Sequence, residues 1–203
     1  MATGKGTGDR VIDAALGSFA TRGYEATSLD ALAKELGVRK QTILYYYPSK
    51  EALLDAVIDR SATELAGVLE GSVAESGPGF DRIDAIVRSV FRMALRRPEL
   101  LGVLREVSRL GPPTSTRLVD ALDPLVQRAT EFLESEMDAG RMRRTDPGLL
   151  LMSVYSTVIG MATEVEVLRA VGIEPTLSSM IRRRTELLEF LRSALVVPEA
   201  PGA

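Results

Sequence analysis

Apolar side chains recur at intervals of three and four residues along most of the chain, which is the period of an amphipathic α-helix. Glycine and proline interrupt these stripes at 71–79, Pro98, 111–113 and Gly140. No stretch alternates apolar and polar residues in the way that a half-buried strand does. The pattern therefore predicts an all-α protein built from successive amphipathic helices.

Two segments near the end of the sequence depart from this pattern. Residues 147–170 leave hardly any polar face, and a helix that is apolar on all sides must be buried on all sides. We expect one face to pack on the body of the protein and the opposite face on a second subunit. With a last helix predicted over 177–196, this favours a homodimer in which the last two helices of each chain form a four-helix interface.

A third pattern, near the N-terminus, predicts two short helices on either side of a tight turn. Ser28 is a good N-cap for the first helix, and Gly37 follows its last apolar residue, where glycine takes positive φ without steric cost. Ala33 is small enough for two helices to cross there. The offsets of Ala33, Gly37, Val38 and Ile43 fit a helix-turn-helix.

The outward face of the second short helix has the residue types that bind DNA. It consists of Arg39, Lys40, Gln41, Thr42, Tyr45 and Tyr46. Such side chains pair with phosphates and base edges. Ser49 then caps a further helix, whose free amides and Lys50 offer a second phosphate site. The alternative is an ordinary helical hairpin with a solvated face, but three adjacent tyrosines cannot all be core on one helix.

Residues 10–54 resemble the N-terminal domain of TetR/AcrR-type transcriptional regulators. The resemblance is contiguous and includes the Arg22-Gly23-Tyr24 turn and the Pro48-Ser49-Lys50-Glu51 segment. It implies that Tyr24 and Tyr47 are structural. Together with the outward face, it implies DNA contacts from Thr27, Ser28, Arg39, Lys40, Gln41, Thr42, Tyr45, Tyr46 and Lys50.

Three residues depart from the pattern of that family. Arg39 stands where a small capping residue is usual, Gln41 where a small residue is common, and Leu44 where an aromatic is frequent. The first two bear on which operator is read, whereas Leu44 repacks the core.

Net charge is −3, but it is unevenly distributed. Between Lys34 and Lys50 four basic residues face one acidic residue, a local +3, so the remainder carries −6. A basic helix-turn-helix, which we call the reader, on an otherwise acidic protein suits specific DNA binding. The acidic remainder, or body, repels non-specific DNA. The sequence has no His and no Cys, which excludes Ser-His-Asp chemistry and thiolate metal sites. We predict no enzyme activity, no cofactor and no metal.

At 203 residues the chain can hold a small domain and a larger one. We predict a mobile tail over 1–8, a DNA-binding domain over 9–54, a ligand-binding and dimerisation domain over 55–197 and a mobile tail over 198–203. No run approaches the roughly 20 apolar residues of a membrane span, and the N-terminus lacks a signal-peptide core. We therefore expect a cytoplasmic protein with no membrane partner.

The resemblance also implies an effector pocket between the middle helices. Its predicted lining residues are Val90, Phe91, Leu104, Leu122, Val126, Met152, Tyr155 and Ile159. An apolar lining without an acidic or histidine cluster predicts a small hydrophobic effector, although each residue can equally be ordinary core. Arg88, Arg92, Arg96 and Arg97 could hold a phosphate or carboxylate of such a ligand, or could form a solvated helix face.

These observations predict a ligand-responsive regulator, most simply a repressor, that binds double-stranded DNA at an inverted-repeat operator as a homodimer. Two readers related by a two-fold axis bind half-sites spaced by about 34 Å or a multiple of it. Two alternatives stay open. One is an activator of the same fold, and the other is a helical small-molecule carrier that retains a degenerate reader.

Overall fold

The computed structural model describes residues 6–197, and these form ten helices with no strand. The helices are α1 (Thr7–Arg22), α2 (Leu29–Leu36), α3 (Lys40–Tyr46), α4 (Lys50–Ala74), α5 (Phe80–Arg96), α6 (Pro98–Leu110), α7 (Thr114–Asp138), α8 (Pro147–Thr163), α9 (Val165–Ala170) and α10 (Leu177–Leu195). This confirms the all-α prediction. Within the same residues, no helix is both long enough and apolar enough to cross a membrane.

One compact unit extends to Ala66 and also includes Arg97–Asp123. It contains α1, α2, α3 and α6 whole, with the first parts of α4 and α7. Helix α1 packs closely on α6, because a Cβ added at Gly102 would lie only 3.0 Å from the Ala20 Cβ. Fully buried side chains in this unit include Phe19, Leu32, Ile43, Leu53 and Val103.

The second compact unit consists of Gly67–Arg96 and the chain from Pro124 onward. Helices α5, α8 and α10 pack on one another in it. The Arg143 N–H donates to the Leu195 carbonyl at 2.9 Å, which fastens the segment before α8 to the end of α10. Its buried core includes Val87, Phe91, Val158, Leu187 and Leu191.

Helix α8 buries few of its apolar side chains within the chain. Val158 and Ala162 are buried, whereas Leu149, Met152 and Tyr155 are 70%, 59% and 52% exposed. Helix α10 likewise exposes Leu177, Ile181 and Phe190. Both helices thus bury one side in their own unit and leave apolar side chains on another.

Several boundaries differ from the sequence-based predictions. Helix α1 begins at Thr7, so the last two residues of the predicted tail 1–8 are helical; residues 1–5 and 198–203 lie outside the described residues. Helix α4 runs past Gly71 to Ala74, because one glycine costs a helix only about 1 kcal/mol. The helix predicted over 147–170 is broken at Glu164, whose ψ of 74° leaves the helical region.

The compact unit that contains the helix-turn-helix is also larger than the predicted domain 9–54. Beyond the predicted range, the unit includes residues up to Ala66. It also includes the later segment Arg97–Asp123, because α6 packs against α1. Periodicity along the chain does not reveal this contact between α1 and α6, since the two helices are more than 70 residues apart in sequence.

Candidate nucleic-acid interface

The turn between α2 and α3 is held by backbone geometry that the sequence predicted. The Ser28 hydroxyl accepts a hydrogen bond from the Ala31 N–H at 3.1 Å, which confirms Ser28 as the N-cap of α2. Gly37 has φ 68° and ψ 31°, the left-handed conformation that ends a helix. The Val38 N–H then donates to the Ala33 carbonyl at 3.0 Å. These bonds fix the direction in which α3 leaves the turn.

Helix α3 has one buried side chain and a wide exposed face. Ile43 is fully buried, so it anchors the helix on the core. On the opposite side Tyr45 is 83% exposed and Tyr46 is 44% exposed, and their rings meet edge to face at 5.2 Å. Gln41 and Arg39 are exposed as well. The seven-residue helix and its N-cap Arg39 therefore present hydroxyls, an amide and a guanidinium together.

Lys40, at the first position of α3, lies beside a carboxylate. Its ammonium donates to Asp30 of α2 at 2.8 Å, and both side chains remain substantially exposed. A pair of this kind contributes little to stability in water, so another anion can displace Asp30 from Lys40 at low cost. Sequence reasoning did not find Asp30, because the two residues are ten positions apart and meet only through the turn.

Thr27 was predicted to contact DNA, but unlike Ser28 it is not exposed. It is only 2% exposed, and its hydroxyl donates to the Gly23 carbonyl at 2.8 Å. The neighbouring Ser28 is exposed. Thr27 therefore closes the loop between α1 and α2, and this corrects its assignment as a contact residue.

The start of α4 provides the second cluster of predicted contacts. The Ser49 hydroxyl accepts from the Ala52 N–H at 3.1 Å, as expected of a helix cap. The Lys50 ammonium lies 4.1 Å from the centre of the Tyr24 ring and donates to the Glu25 carbonyl at 3.3 Å. Lys50 is thus held at one end of α4 by the loop between α1 and α2.

Tyr24 and Tyr47 occupy the structural positions that the resemblance implied. Burial, with the charge of Glu51, raises the pKa of Tyr24 to about 12. Burial likewise raises the pKa of Tyr47, whose hydroxyl donates to the Gly8 carbonyl at 3.3 Å. Both phenols therefore stay protonated and keep their hydrogen bonds at neutral pH.

The residues predicted to line an effector pocket differ in burial and are divided between the two compact units. Val90 and Phe91 are buried in α5, and Ile159 of α8 is half-buried in the same unit. By contrast Val126, Met152 and Tyr155 are exposed. Leu104 and Leu122 belong to the unit that contains the helix-turn-helix.

A small cleft lies in the second unit, between α5 and α10. Its volume is about 40 Å³, close to the roughly 30 Å³ that one water molecule occupies. Phe91 is the one predicted pocket residue in its lining. The cleft is lined by Phe91, Arg92, Leu95, Leu177, Met180, Ile181 and Arg184.

Most of the arginines proposed to hold an anionic ligand are engaged within the chain. Arg88 pairs with Asp84, and Arg97 pairs with Glu64 and Glu99. These carboxylates raise the pKa of both guanidinium groups above the usual value. Arg92 donates to the Ser89 hydroxyl, and Arg96 is exposed. The alternative of a helix face with local ion pairs is the better description of Arg88 and Arg97.

A helix-turn-helix with an exposed basic and aromatic recognition face, followed by a larger all-helical body, defines a class of DNA-binding regulators. Residues 11–57 match the sequence profile of a family described as "Bacterial regulatory proteins, tetR family". The chain is 24% identical to the HTH-type transcriptional regulator RutR of Escherichia coli (strain K12) over 148 residues, which is 72% of this chain and 69% of RutR.

Solved structures share the fold over nearly the whole chain. A transcriptional regulator from Saccharomonospora viridis in complex with choline aligns with a TM-score of 0.77 at 21% identity, over 94% of this chain and 97% of that one. The regulator FadR from Bacillus subtilis in complex with stearoyl-CoA aligns with a TM-score of 0.75 at 18% identity, over 90% and 96%.

Residues 11–57 thus match the TetR family of transcriptional regulators, which is the family that the sequence resembled. The matched proteins are transcriptional regulators, in agreement with the prediction that the protein is not an enzyme. The match and the interface together support a DNA-binding regulator.

Proposed function

We propose that this protein is a ligand-responsive transcriptional repressor, which binds an inverted-repeat operator as a homodimer and leaves it when a small hydrophobic effector binds. The observation that carries the proposal is the face of α3, where Gln41, Tyr45 and Tyr46 are exposed around a fully buried Ile43. Gln41 and Tyr45 remain open to a partner. Amide and hydroxyl groups at this place in a helix-turn-helix suit base edges and phosphates.

In this proposal contacts divide into two sets. Gln41 and Arg39 reach base edges in the major groove. Lys40 leaves its ion pair with Asp30 and contacts DNA instead. Tyr45, Tyr46, Ser28 and Lys50 bind phosphates and set the register of α3. Only the first set carries sequence preference.

The exposed apolar faces of α8 and α10 support the homodimer. Leu149, Met152 and Tyr155 of α8 would stay in contact with water in a monomer, and contiguous apolar surface of this kind marks an interface between proteins. A second copy supplies a matching surface, because two-fold interfaces are self-complementary. Two readers then face DNA, as an inverted repeat requires.

The choline and stearoyl-CoA complexes of related folds support an effector that binds the helical body. The cleft at Phe91 is too small for such a ligand. An effector that enters this cleft must therefore move side chains or helices as it binds, so it prefers a conformation different from the one described. That difference in affinity is what a ligand needs to shift a DNA-binding equilibrium.

Repression requires nothing beyond occupancy of the operator. The test is transcription in vitro from a promoter that contains an operator selected from random duplexes, with wild-type protein and with a Lys40→Ala/Tyr45→Ala control. We expect wild type to lower transcript yield and the control to leave it unchanged. Increased transcript would indicate an activator, and no selected operator would favour a carrier.

The effector is tested by titrating fatty acids, acyl-CoA esters and choline into the complex with DNA. We expect a hydrophobic acyl compound to release DNA, and choline to have no effect. Light scattering at micromolar concentration tests the dimer, for which a monomer would be the contradicting result.

A further inference from the structure

A continuous series of contacts runs from α6 to the predicted phosphate contact at Lys50. It begins at Glu106, whose carboxylate accepts from the Tyr24 backbone N–H at 2.8 Å. Arg109, one turn along α6, holds the same carboxylate through two hydrogen bonds of 2.9 and 2.8 Å. The Glu106 side chain is only 11% exposed, so its position is well defined.

Gly23 makes this approach possible. It has φ +88°, and a Cβ added to it would lie 3.2 Å from the Glu106 carboxylate. A side chain at this position would therefore be strained and would also crowd the oxygen that reaches the Tyr24 N–H. The loop between α1 and α2 is shaped to receive a carboxylate from α6.

Tyr24 is held at three points. Its N–H binds Glu106, its ring packs edge to face on Phe19 at 5.3 Å, and its hydroxyl donates to Glu51 at 3.3 Å. The side chain is buried. A ring fixed in this way is a rigid surface on which another group can rest.

Lys50 rests on that surface. Its ammonium lies over the Tyr24 ring and donates to the Glu25 carbonyl. A lysine otherwise samples many rotamers and must lose this freedom when it binds a phosphate. Confinement by Tyr24 and Glu25 removes part of that loss before DNA arrives, which strengthens the contact.

We propose that Glu106 and Tyr24 are positioning residues for DNA binding, which hold Lys50 where it meets a backbone phosphate. The inference rests on the proposed DNA-binding function.

The test is the salt dependence of binding to a selected operator duplex, with a scrambled duplex of equal length as reference. Each lost phosphate contact lowers the slope of log affinity against log salt by about 1. We expect Lys50→Met to give a slope shallower by about this amount per reader, and Glu106→Ala to give a smaller reduction in the same direction, because an unsupported Lys50 still reaches phosphate part of the time. The double variant should match Lys50→Met alone, because both changes act on the same contact.

Two matched variants separate positioning from a general loss of structure. Glu106→Gln keeps an oxygen that accepts from the Tyr24 N–H, so it should restore most of the wild-type slope. Arg109→Ala removes the ion pair but not that bond, and it should also stay near wild type. If Glu106→Ala does not fold, Glu106→Asp, which keeps the charge but is one methylene shorter, should give the shallower slope.

A wild-type slope in folded Glu106→Ala, or additive losses in the double variant, would overturn the proposal while leaving DNA binding intact. An unchanged slope in Lys50→Met would overturn it too, since Lys50 would then contact no phosphate. If wild type did not prefer the operator to the scrambled duplex, the proposed function itself would fail.

Discussion

Two side chains of α3 allow folding and DNA binding to be perturbed separately. Ile43 is fully buried, and Tyr45, two residues later, is 83% exposed. Ile43→Val removes one buried methylene and should lower the free energy of unfolding by about 0.5–1.5 kcal/mol. Tyr45→Ala removes an exposed ring, for which the change should stay within about 0.5 kcal/mol.

For the affinity for DNA, Tyr45→Ala should have the larger effect and Ile43→Val the smaller one. A hydroxyl bound to a charged phosphate contributes about 1.5–3 kcal/mol, so loss of Tyr45 from both readers of a dimer costs about 3–6 kcal/mol. This corresponds to roughly 150- to 20,000-fold weaker binding. Ile43→Val should bind almost as wild type well below its melting temperature, because its outward face is unchanged.

Urea unfolding followed by circular dichroism measures the first quantity, and fluorescence anisotropy with a labelled operator duplex measures the second. Tyr45→Phe, which keeps the ring but not the hydroxyl, is the matched control and should account for most of the loss. If Tyr45→Ala bound the operator as tightly as wild type, the assignment of this face of α3 to DNA would be refuted.

Three further predictions follow from other parts of the chain. Gly37→Ala should cost about 1–2 kcal/mol in urea unfolding, because φ is +68° although the added methyl meets no atom within 4 Å; no loss would contradict the left-handed turn. Glu136 is bound by Arg141, which lowers its pKa below the usual 4.5, so its contribution is present above pH 4.5 and is lost as pH falls further. Glu136→Gln should therefore lose stability less steeply in acid than wild type, and parallel curves would exclude this contribution. Tyr155→Glu should convert the proposed dimer to a monomer in light scattering, and a surviving dimer would place the interface elsewhere.

Much of the reader could be predicted from sequence because its geometry is encoded locally. Ser28 and Ser49 cap helices through bonds to residues three positions ahead, and Gly37 ends α2 with positive φ. These signals act within one helical turn. The amino-acid sequence of the chain alone is therefore sufficient to show these caps and this turn.

Other features depend on contacts between distant residues, and periodicity does not contain them. Glu106 meets Tyr24 across 82 positions. Thr27 has a residue type suited to phosphate, yet burial commits its hydroxyl to the Gly23 carbonyl. The break at Glu164 has no glycine or proline beside it, so nothing in the local sequence marks it.

The burial of the predicted effector residues could not be read from the sequence for a related reason. Apolar type and helical spacing are the same for a core residue, a pocket residue and an interface residue. Phe91 is core and lines a small cleft, whereas Met152 and Tyr155 are exposed on α8. Burial in the folded chain distinguishes a core residue from an exposed one, and the sequence pattern alone does not.

The most direct test of the central claim is selection of duplexes from a random pool with wild-type protein, at near-physiological salt. The account predicts an inverted repeat whose half-sites are centred about 34 Å apart or a multiple of it. It also predicts that the Lys40→Ala/Tyr45→Ala variant recovers no such motif. Recovery of unrelated sequences by wild type, or of the same inverted repeat by the variant, would contradict the assignment of α3 as the reader of DNA.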